Sequence, residues 1–391
     1  MKIMLLTHSF SPEISPPQRR WSVIADELAT LGNEITVVTP QPQGTAVQGT
    51  SSITNNQRIY VKRYQSLRKS KTMVGKVIKH GVDAVLSLPA ALKATKPDVV
   101  IATVPALPTL IVGFAVSKIR GVPFVVDLRD AWPDLLRESQ VLKWRWLEPM
   151  VSHALAYLVR RSDLLVTVTR GLAVKMRLNG VENVATISNG VEIERLDASI
   201  ANESRSDVLR VLYLGNIGRS QGLETLIHAA KILGDRICLR IVGNGTEKQR
   251  LSELADELDV EVDFREPVYG DLVLDNYAWA DTCVVSLRPD WPSFEHTVPS
   301  KLYELLYLDR HVTGLVRGEA AGIITAAGSG EVVGQSIPEL AEYLRDLAAH
   351  PDKLATHNHG SLWVKQNASL RDAARVYAKL LSGVVARKDE N

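Results

Sequence analysis

A lysine and a glutamate one helical turn apart, Lys301 and Glu304, follow Pro299 and Ser300 at the head of a run in which Leu302, Leu305 and Leu306 repeat at helical spacing. Serine favours a helix cap, and a helix start leaves N–H groups and a partial positive charge facing outward. Such a point suits a phosphate, and Lys301 adds a full charge. Glu304 cannot be a second phosphate ligand. A carboxylate beside a phosphate-binding helix start accepts hydrogen bonds from ribose hydroxyls, as in dinucleotide folds. The pair points to a nucleoside diphosphate, against the plain alternative of a capped helix with a solvated Lys and Glu.

Two glycine-rich turns precede this helix. Gly215-Asn216-Ile217-Gly218-Arg219-Ser220-Gln221-Gly222 follows the apolar run LRVLYLG, and Gly243-Asn244-Gly245 follows ICLRIVG. Glycine lets backbone approach a ligand closely, and Arg219 supplies charge that a diphosphate uses. Neither turn is a full GxGxxG; their weight comes from recurring beside the Ser300 helix start. In the other half of the chain, PFVVDL empties into Asp127-Leu128-Arg129-Asp130-Ala131-Trp132-Pro133-Asp134. Parallel strands open their C-terminal ends on the ligand crevice, so Arg129 and Asp130 are the polar candidates there. Arg19 and Arg20, at the start of the first helix, are candidates for an anionic ligand. There is no Asp-x-Asp pair, and His357 and His359 lie in a polar segment and read as exposed. No metal is expected, because side chains and a helix start already meet the phosphate charge.

The elements that must hold these residues alternate strand and helix. IMLL at 3–6 leads through the long loop HSFSPEISPPQ to a helix with Trp21, Ile24, Leu28 and Leu31 on one face, then to the strand EITVVT. RIYVKRY reads as an edge strand, and DVVIAT, PFVVDL, DLLVTVT and VATISNGVE continue to six or seven parallel strands. The polar stretch after Val191 loses periodicity and is read as a linker over 196–207. The alternation then restarts with LRVLYLG and runs through CVVSL, HVTGLV and SIPELAEYLRDLAAH to an amphipathic final helix from about Leu370 to Val385. The expected class is α/β, with Rossmann-like domains over 1–195 and 208–369 and a C-terminal helix over 370–391.

At 391 residues the chain is too long for one ordinary core, and 45% apolar with 23% charged residues is a globular composition. Cys238 and Cys283 sit in apolar runs without metal-ligand spacing and read as buried thiols in a reducing, cytoplasmic compartment. The longest apolar run, TLIVGFAV, is far short of a membrane span. The net charge of +2 divides into 25 basic against 16 acidic residues over 1–200 and 21 against 28 over the remainder. Between Arg58 and Lys79 eight basic residues stand with no acidic one, interleaved with apolar and aromatic side chains. That segment suits anionic membrane headgroups, with a peripheral position on the inner face of the plasma membrane. Nucleic acid is not expected, because no nucleic-acid motif accompanies the charge.

FSPE at 10–13 with Arg20-Trp21, LRDAWPD at 128–134, SNGVE at 188–192, LYLGNIGRSQGLETLI at 212–227, IVGNGTEKQRL at 241–251 and PSKLYE at 299–304 together resemble the family-4 retaining glycosyltransferases of GT-B fold. The branch is that of WbuB-like enzymes of bacterial surface-polysaccharide assembly. The resemblance spans nearly the whole chain. It implies two Rossmann-like domains facing each other across a cleft, the nucleotide sugar held mainly by the second, and a last helix returning to the first. It makes Glu304 the ribose ligand, Arg219 with the Ser300 and Lys301 region the diphosphate ligands, and the backbone near Val268 the base contact. The 127–134 loop would border the acceptor. Three departures stand out: His296, with Glu295 beside it, where the family often has a second glutamate; Gln221 where Lys is frequent; and Asn216 where Arg is common. The first loop also lacks glycine. The implied activity is retaining transfer from a nucleoside diphosphate sugar, a UDP-sugar, to a lipid-linked or membrane-associated saccharide, with no cofactor. The competing readings are a sugar-nucleotide epimerase or phosphorylase, and a non-catalytic sugar-nucleotide-binding partner.

Overall fold

The computed structural model describes residues 1–13, 16–42, 56–67, 73–104, 107–131, 134–138, 147–196 and 208–390. The chain divides into two compact units, Met1–Asn189 with Leu370–Asn391, and Gly190–Ser369. Residues 197–207, nearly all of the expected linker, lie outside the described residues, as do Trp132 and Pro133 and the side chains of 68–80.

The first unit holds strands β1 (Lys2–Leu6), β2 (Glu34–Pro40), β3 (Ile59–Tyr64), β4 (Val99–Val104), β5 (Phe124–Leu128), β6 (Leu164–Thr167) and β7 (Val184–Thr186). They make one parallel sheet in the order β3-β2-β1-β4-β5-β6-β7. Helices α1 (Pro16–Thr30), α2 (Met73–Leu92), α3 (Leu107–Arg120), α4 (Asp134–Glu138), α5 (Leu147–Arg160) and α6 (Arg170–Leu178) fill the crossovers. Parallel strands are covered on both faces and read as unbroken apolar runs, which is why β4 is buried at every position. Successive side chains serve opposite cores. Ile3 and Leu5 face α1 through Trp21, Ile24 and Leu28, while Met4 and Leu6 face the layer containing Leu110, Val116 and Leu155.

The second unit repeats the plan with β8 (Leu209–Asn216), β9 (Ile237–Asn244), β10 (Val262–Arg265), β11 (Thr282–Ser286), β12 (Val312–Leu315) and β13 (Gly330–Val332), in the order β10-β9-β8-β11-β12-β13. Its helices are α7 (Glu224–Leu233), α8 (Lys248–Glu257), α9 (Asp271–Trp279), α10 (Ser300–Tyr307), α11 (Gly318–Ala327), α12 (Ile337–Ala349) and α13 (His359–Asn367). Val191 pairs with Ser369 and its N–H donates to Ala368 O at 3.0 Å, joining the first and last residues of this unit. The last helix, α14 (Leu370–Asp389), belongs to the first unit. Tyr377, Leu381 and Val384 enter the core of α1, and the Tyr377 ring lies 5.4 Å from that of Trp21.

The two thiols differ from the expectation. Cys283 is buried and its thiol is pushed up to about 12 by burial, but Cys238, the second residue of β9, is exposed.

Behind the second sheet a buried histidine couples stability to pH. His311 is 5% exposed, its Nδ1 lies 2.9 Å from Thr282 Oγ1, and Thr282 Oγ1 lies 2.8 Å from Thr313 Oγ1. Burial lowers its pKa to about 4. The folded chain thus binds fewer protons than the unfolded chain between the two pKa values. The stabilising contribution is complete above the unfolded value near 6.5 and is lost as pH falls from there toward 4. By linkage this amounts to about 2 kcal/mol between pH 7.5 and pH 5. Chemical denaturation of the protein and of His311→Asn at both pH values is expected to show that much extra acid sensitivity in the former; equal slopes would remove the assignment.

Candidate active site

In a parallel α/β unit every helix that follows a strand starts at the strand's C-terminal end, so the helix starts and the loops gather on one edge. In the second unit the strand order reverses between β8 and β11, and the expected donor residues are carried by that edge.

The two glycine turns lie side by side because β8 and β9 run in register to their ends, Gly215 opposite Gly243 and Asn216 opposite Asn244. Ile217 N–H donates to Asn244 O at 2.9 Å, and Glu247 N–H to Ile217 O at 3.0 Å. Only glycine permits this approach. A Cβ on Gly243 would stand 1.9 Å from Gly215 O, and one on Gly245 2.1 Å from Ile217 O. On the other flank Arg288 N–H donates to Ser220 O at 2.9 Å and Ser286 Oγ to Gln221 O at 2.6 Å, tying the first turn to the end of β11. A pocket of about 220 Å³ opens there, lined by Gln221, Gly222, Ser286, Arg288, Leu315 and Gln335 among others. Arg219 and Lys301 are not in its lining.

Within the first turn Gln221 does what the sequence did not suggest. Its Oε1 accepts from Gly218 N–H at 3.1 Å and from Asn216 Nδ2 at 3.3 Å. Gly218 N–H is thus engaged by a side chain of its own turn. Arg219, the next residue after Gly218, is exposed.

The start of α10 also differs in detail. Pro299 occupies the cap position, Ser300 is the first helical residue, and no side chain caps the helix. Proline has no N–H to leave unpaired, and Ser300, one place further in, is past the position from which a hydroxyl reaches back. Lys301 Nζ lies 3.2 Å from Glu304 Oε2, and the two side chains are 27% and 17% exposed. Tyr277 of α9, buried beneath them, donates its hydroxyl to Glu304 Oε2 at 3.4 Å and places its ring 5.6 Å under the Lys301 ammonium. Sequence reasoning missed Tyr277; the only trace was an aromatic on the inner face of α9. Leu302 is fully buried, so its part is to anchor the helix. His296 and Val268 are half-buried, His296 in the 3₁₀ turn Pro292–His296 before α10 and Val268 in the loop beyond β10.

In the first unit, Arg129 and Asp130 follow β5 at the corresponding edge. Arg129 Nε and Nη1 are buried with no hydrogen-bond partner among the described residues, and burial with Arg20 nearby lowers the guanidinium's pKa. Burial pushes the Asp130 carboxyl up, against the pull of Arg129. Arg19 is half-buried beside the start of α1. Arg20 has an internal task instead of an outward one. It is 3% exposed, donates to Ile187 O at 3.0 Å and to Ser188 O at 2.6 Å, and approaches Asp127 Oδ1 at 3.9 Å. No group of three or more metal-ligating side chains stands together among the described residues.

Known proteins share this family and fold. The model of Glycosyltransferase Family 4 matches residues 18–195, and that of Glycosyl transferases group 1 matches 196–358. A protein of Escherichia coli K12 named as the colanic acid biosynthesis glycosyl transferase WcaI is 28% identical over 66% of this chain and 69% of its own. A Pseudomonas aeruginosa protein named as the glycosyltransferase WbjE is 26% identical over 61% of this chain and 62% of its own. Among solved structures, Anabaena HepE in complex with UDP and glucose aligns with a TM-score of 0.72 at 18% identity, over 98% of this chain and 100% of that one. Sucrose-phosphate synthase of Thermosynechococcus elongatus aligns with a TM-score of 0.76 at 16% identity, over 99% of each. The last two show the fold, two parallel sheets with interleaved helices of the GT-B kind. With one family model over most of each half and the glycine turns and α10 on one sheet edge, the chain belongs to the family-4 glycosyltransferases of GT-B fold.

Proposed function

We propose that this protein transfers a glycosyl group from a UDP-sugar to a membrane-associated saccharide, with retention at the anomeric carbon, in the building of a cell-surface polysaccharide. The observation that carries the reading is the Lys301–Glu304 pair, 3.2 Å apart over Tyr277 at the start of α10. An ammonium has three N–H donors, so Lys301 can hold Glu304 and still meet a phosphate. Anabaena HepE, whose structures also include complexes with UDP alone and with UDP-glucose, supports the donor class, and the colanic acid name of the E. coli relative supports the product class.

In the proposed step the bond from the sugar's anomeric carbon to the β-phosphate oxygen breaks and both electrons leave with UDP. Arg219 and Lys301 stabilise the charge that gathers there, and Glu304 orients the ribose. The acceptor hydroxyl adds from the face the phosphate leaves, and its proton passes to the departing phosphate oxygen. Asp130 and Arg129 position the acceptor, and His296 the sugar. Gly215, Asn216, Gly218, Gly243, Asn244 and Gly245 bring backbone to the diphosphate; Gln221 must release Gly218 N–H for this. With the phosphate charge met by cations and a helix start, the reaction needs no metal.

Thermal unfolding against a panel of nucleotide sugars tests the reading, since a ligand that binds only the folded chain raises stability by RT ln(1 + [L]/Kd). A UDP-sugar is expected to raise Tm, and membrane extract carrying acceptor to accelerate UDP release. No shift with any nucleotide sugar would sink the proposal; conversion of the donor without acceptor would indicate an epimerase or phosphorylase. The self-satisfied turn around Gln221 favours one other reading, a binding partner without turnover, which would show a Tm shift and no UDP release.

A further inference from the structure

The cavity of about 220 Å³ in the second unit takes no part in the donor chemistry proposed above. Its walls come from Glu224 and Thr225 at the start of α7, residues 286–290 at and beyond the end of β11, Leu315 closing β12, and Gln335 ahead of α12. Gln221 and Gly222 of the glycine turn line it as well, but Arg219, Lys301, Glu304 and Tyr277 do not. It belongs to the layer of α7, α8 and α12, whose Leu226, Leu251 and Leu340 share one core that contains no residue of α10. Gln335 is the wall with an unmet group. Its Nε2 donates to Leu287 O at 2.8 Å and to Leu315 O at 2.6 Å, bridging the ends of β11 and β12. Two carbonyls call for the amide nitrogen, so the orientation of the amide is set and Oε1 is turned away from them. Oε1 is buried and accepts no hydrogen bond among the described residues. A buried acceptor without a donor is costly, and a ligand hydroxyl would meet it.

We propose that this cavity is a second ligand site, for one uncharged sugar ring held through its hydroxyls by Gln335, Glu224 and Asp290. The charges of the lining select the class. Arg288 Nε and Nη2 hold Asp290 Oδ1 and Oδ2 at 2.7 and 2.9 Å, so the one cation is already paired, and Glu224 adds a second carboxylate. Such a lining repels an anion and offers acceptors to a ligand rich in donors. Ser286 Oγ, which donates to Gln221 O at 2.6 Å, keeps its lone pairs for a further hydroxyl. Leu287, Pro289 and Leu315 supply apolar surface that suits the C–H face of a sugar and is wasted on an ammonium ion. The volume lies below the roughly 300 Å³ at which pockets for drug-sized ligands begin, which leaves room for a single ring and not for a nucleotide. The ring is either a free monosaccharide or one residue of a glycan chain, and the same hydroxyls serve in both. The site goes beyond the donor reading and does not depend on it.

Saturation-transfer NMR of the full chain with glucose, galactose, mannose and N-acetylglucosamine, each also as its methyl glycoside, tests it. At least one ring is expected to bind, with UDP present as well as without it. Binding of the free sugar alone identifies a metabolite, and equal binding of the glycoside identifies a chain residue; either supports the site. Thr225→Phe, at a half-buried position of the lining, should fill the cavity and abolish the binding. Gln335→Met should weaken it by about fivefold, the weight of one hydrogen bond between neutral groups. Circular dichroism and the Tm shift with UDP verify that the variants are folded, and if Gln335→Met does not fold, the phenylalanine variant decides by itself. Three outcomes would overturn the proposal: no ring binds, Thr225→Phe binds as the parent does, or UDP-glucose displaces the sugar while UDP does not, which would put the ring in the donor site. Because UDP binding is read separately, failure here leaves the proposed donor chemistry standing, and a protein that binds the sugar but no nucleotide would count against the donor reading alone.

Discussion

Replacing Lys301 by Ala is expected to lower the rate of sugar transfer by two to three orders of magnitude while leaving the second unit folded. A fixed donor aimed at charge that develops in the transition state is worth about 2.7–4 kcal/mol when removed, which is where that factor comes from. The stability cost is far smaller. The Lys301–Glu304 pair is 27% and 17% exposed, and surface ion pairs contribute about 0–1 kcal/mol. Leu302, Tyr303, Leu305 and Leu306, all buried, hold α10 in place without the lysine. Arg219→Ala should behave similarly, because Arg219 begins the 3₁₀ turn Arg219–Gln221 with its side chain exposed, so that its loss removes charge and little packing. If the stabilisation belongs to the transition state, kcat falls and the donor KM changes little; Lys301→Arg, which keeps the charge, recovers part of the rate. A kcat within twofold of the unmodified protein for both alanine variants would end the assignment of the cationic cradle.

Much of this edge was legible beforehand, for a physical reason. Strands that are buried on both faces read as near-continuous apolar runs, and LRVLYLG, ICLRIVG and CVVSL stand out accordingly even with Arg210 and Arg240 inside them. Their glycine turns are equally visible, since a close backbone approach excludes every other residue at Gly243 and Gly245. What could not be read was what depends on contacts between distant segments. Arg20 looked like an anion ligand because it opens a helix; its two carbonyl partners, Ile187 and Ser188, lie 167 and 168 residues away. Gln221 looked like a weakened phosphate ligand, and only the folded turn shows it answering Gly218 N–H. Helices α8 and α13 and strand β13 escaped notice because they are short and their buried positions few: α8 buries Leu251 and Ala255, α13 Gly360 and Val364. Tyr277 was hidden by a similar sparseness, since the inner face of α9 mixes Val273, Asn276 and Tyr277 and has no strong period.

Asp127→Ala is expected to be the most damaging single change outside the candidate site, costing about 3–5 kcal/mol, because it leaves a buried cation and two buried donors without their common acceptor. The carboxylate is fully buried at the end of β5. Trp21 Nε1 of α1 donates to Oδ2 at 3.0 Å, the Tyr377 hydroxyl of α14 donates to Oδ1 at 2.5 Å, and the Arg20 guanidinium stands 3.9 Å from Oδ1. Burial, followed by the charge of Asp127, raises the Tyr377 hydroxyl's pKa well above that of free tyrosine, so it remains a donor across the working pH range. In the sequence Asp127 only closes an apolar strand ahead of Arg129 and Asp130, the two residues read as site candidates, and nothing there reveals its own partners. The structure separates them: Asp127 joins helices from the two ends of the chain, and Asp130 does not. Tyr377→Phe, which removes one hydrogen bond to a charged group and keeps the ring against Trp21, should cost about 1.5–3 kcal/mol. Urea denaturation of both variants gives the energies, and hydrogen exchange gives the location, with protection lost first along α14. If the alanine variant were within 1 kcal/mol of the parent, water would have to replace the carboxylate among these groups; if α14 stayed protected in the phenylalanine variant, apolar packing of Leu381 and Val384 alone would be sufficient to hold the helix.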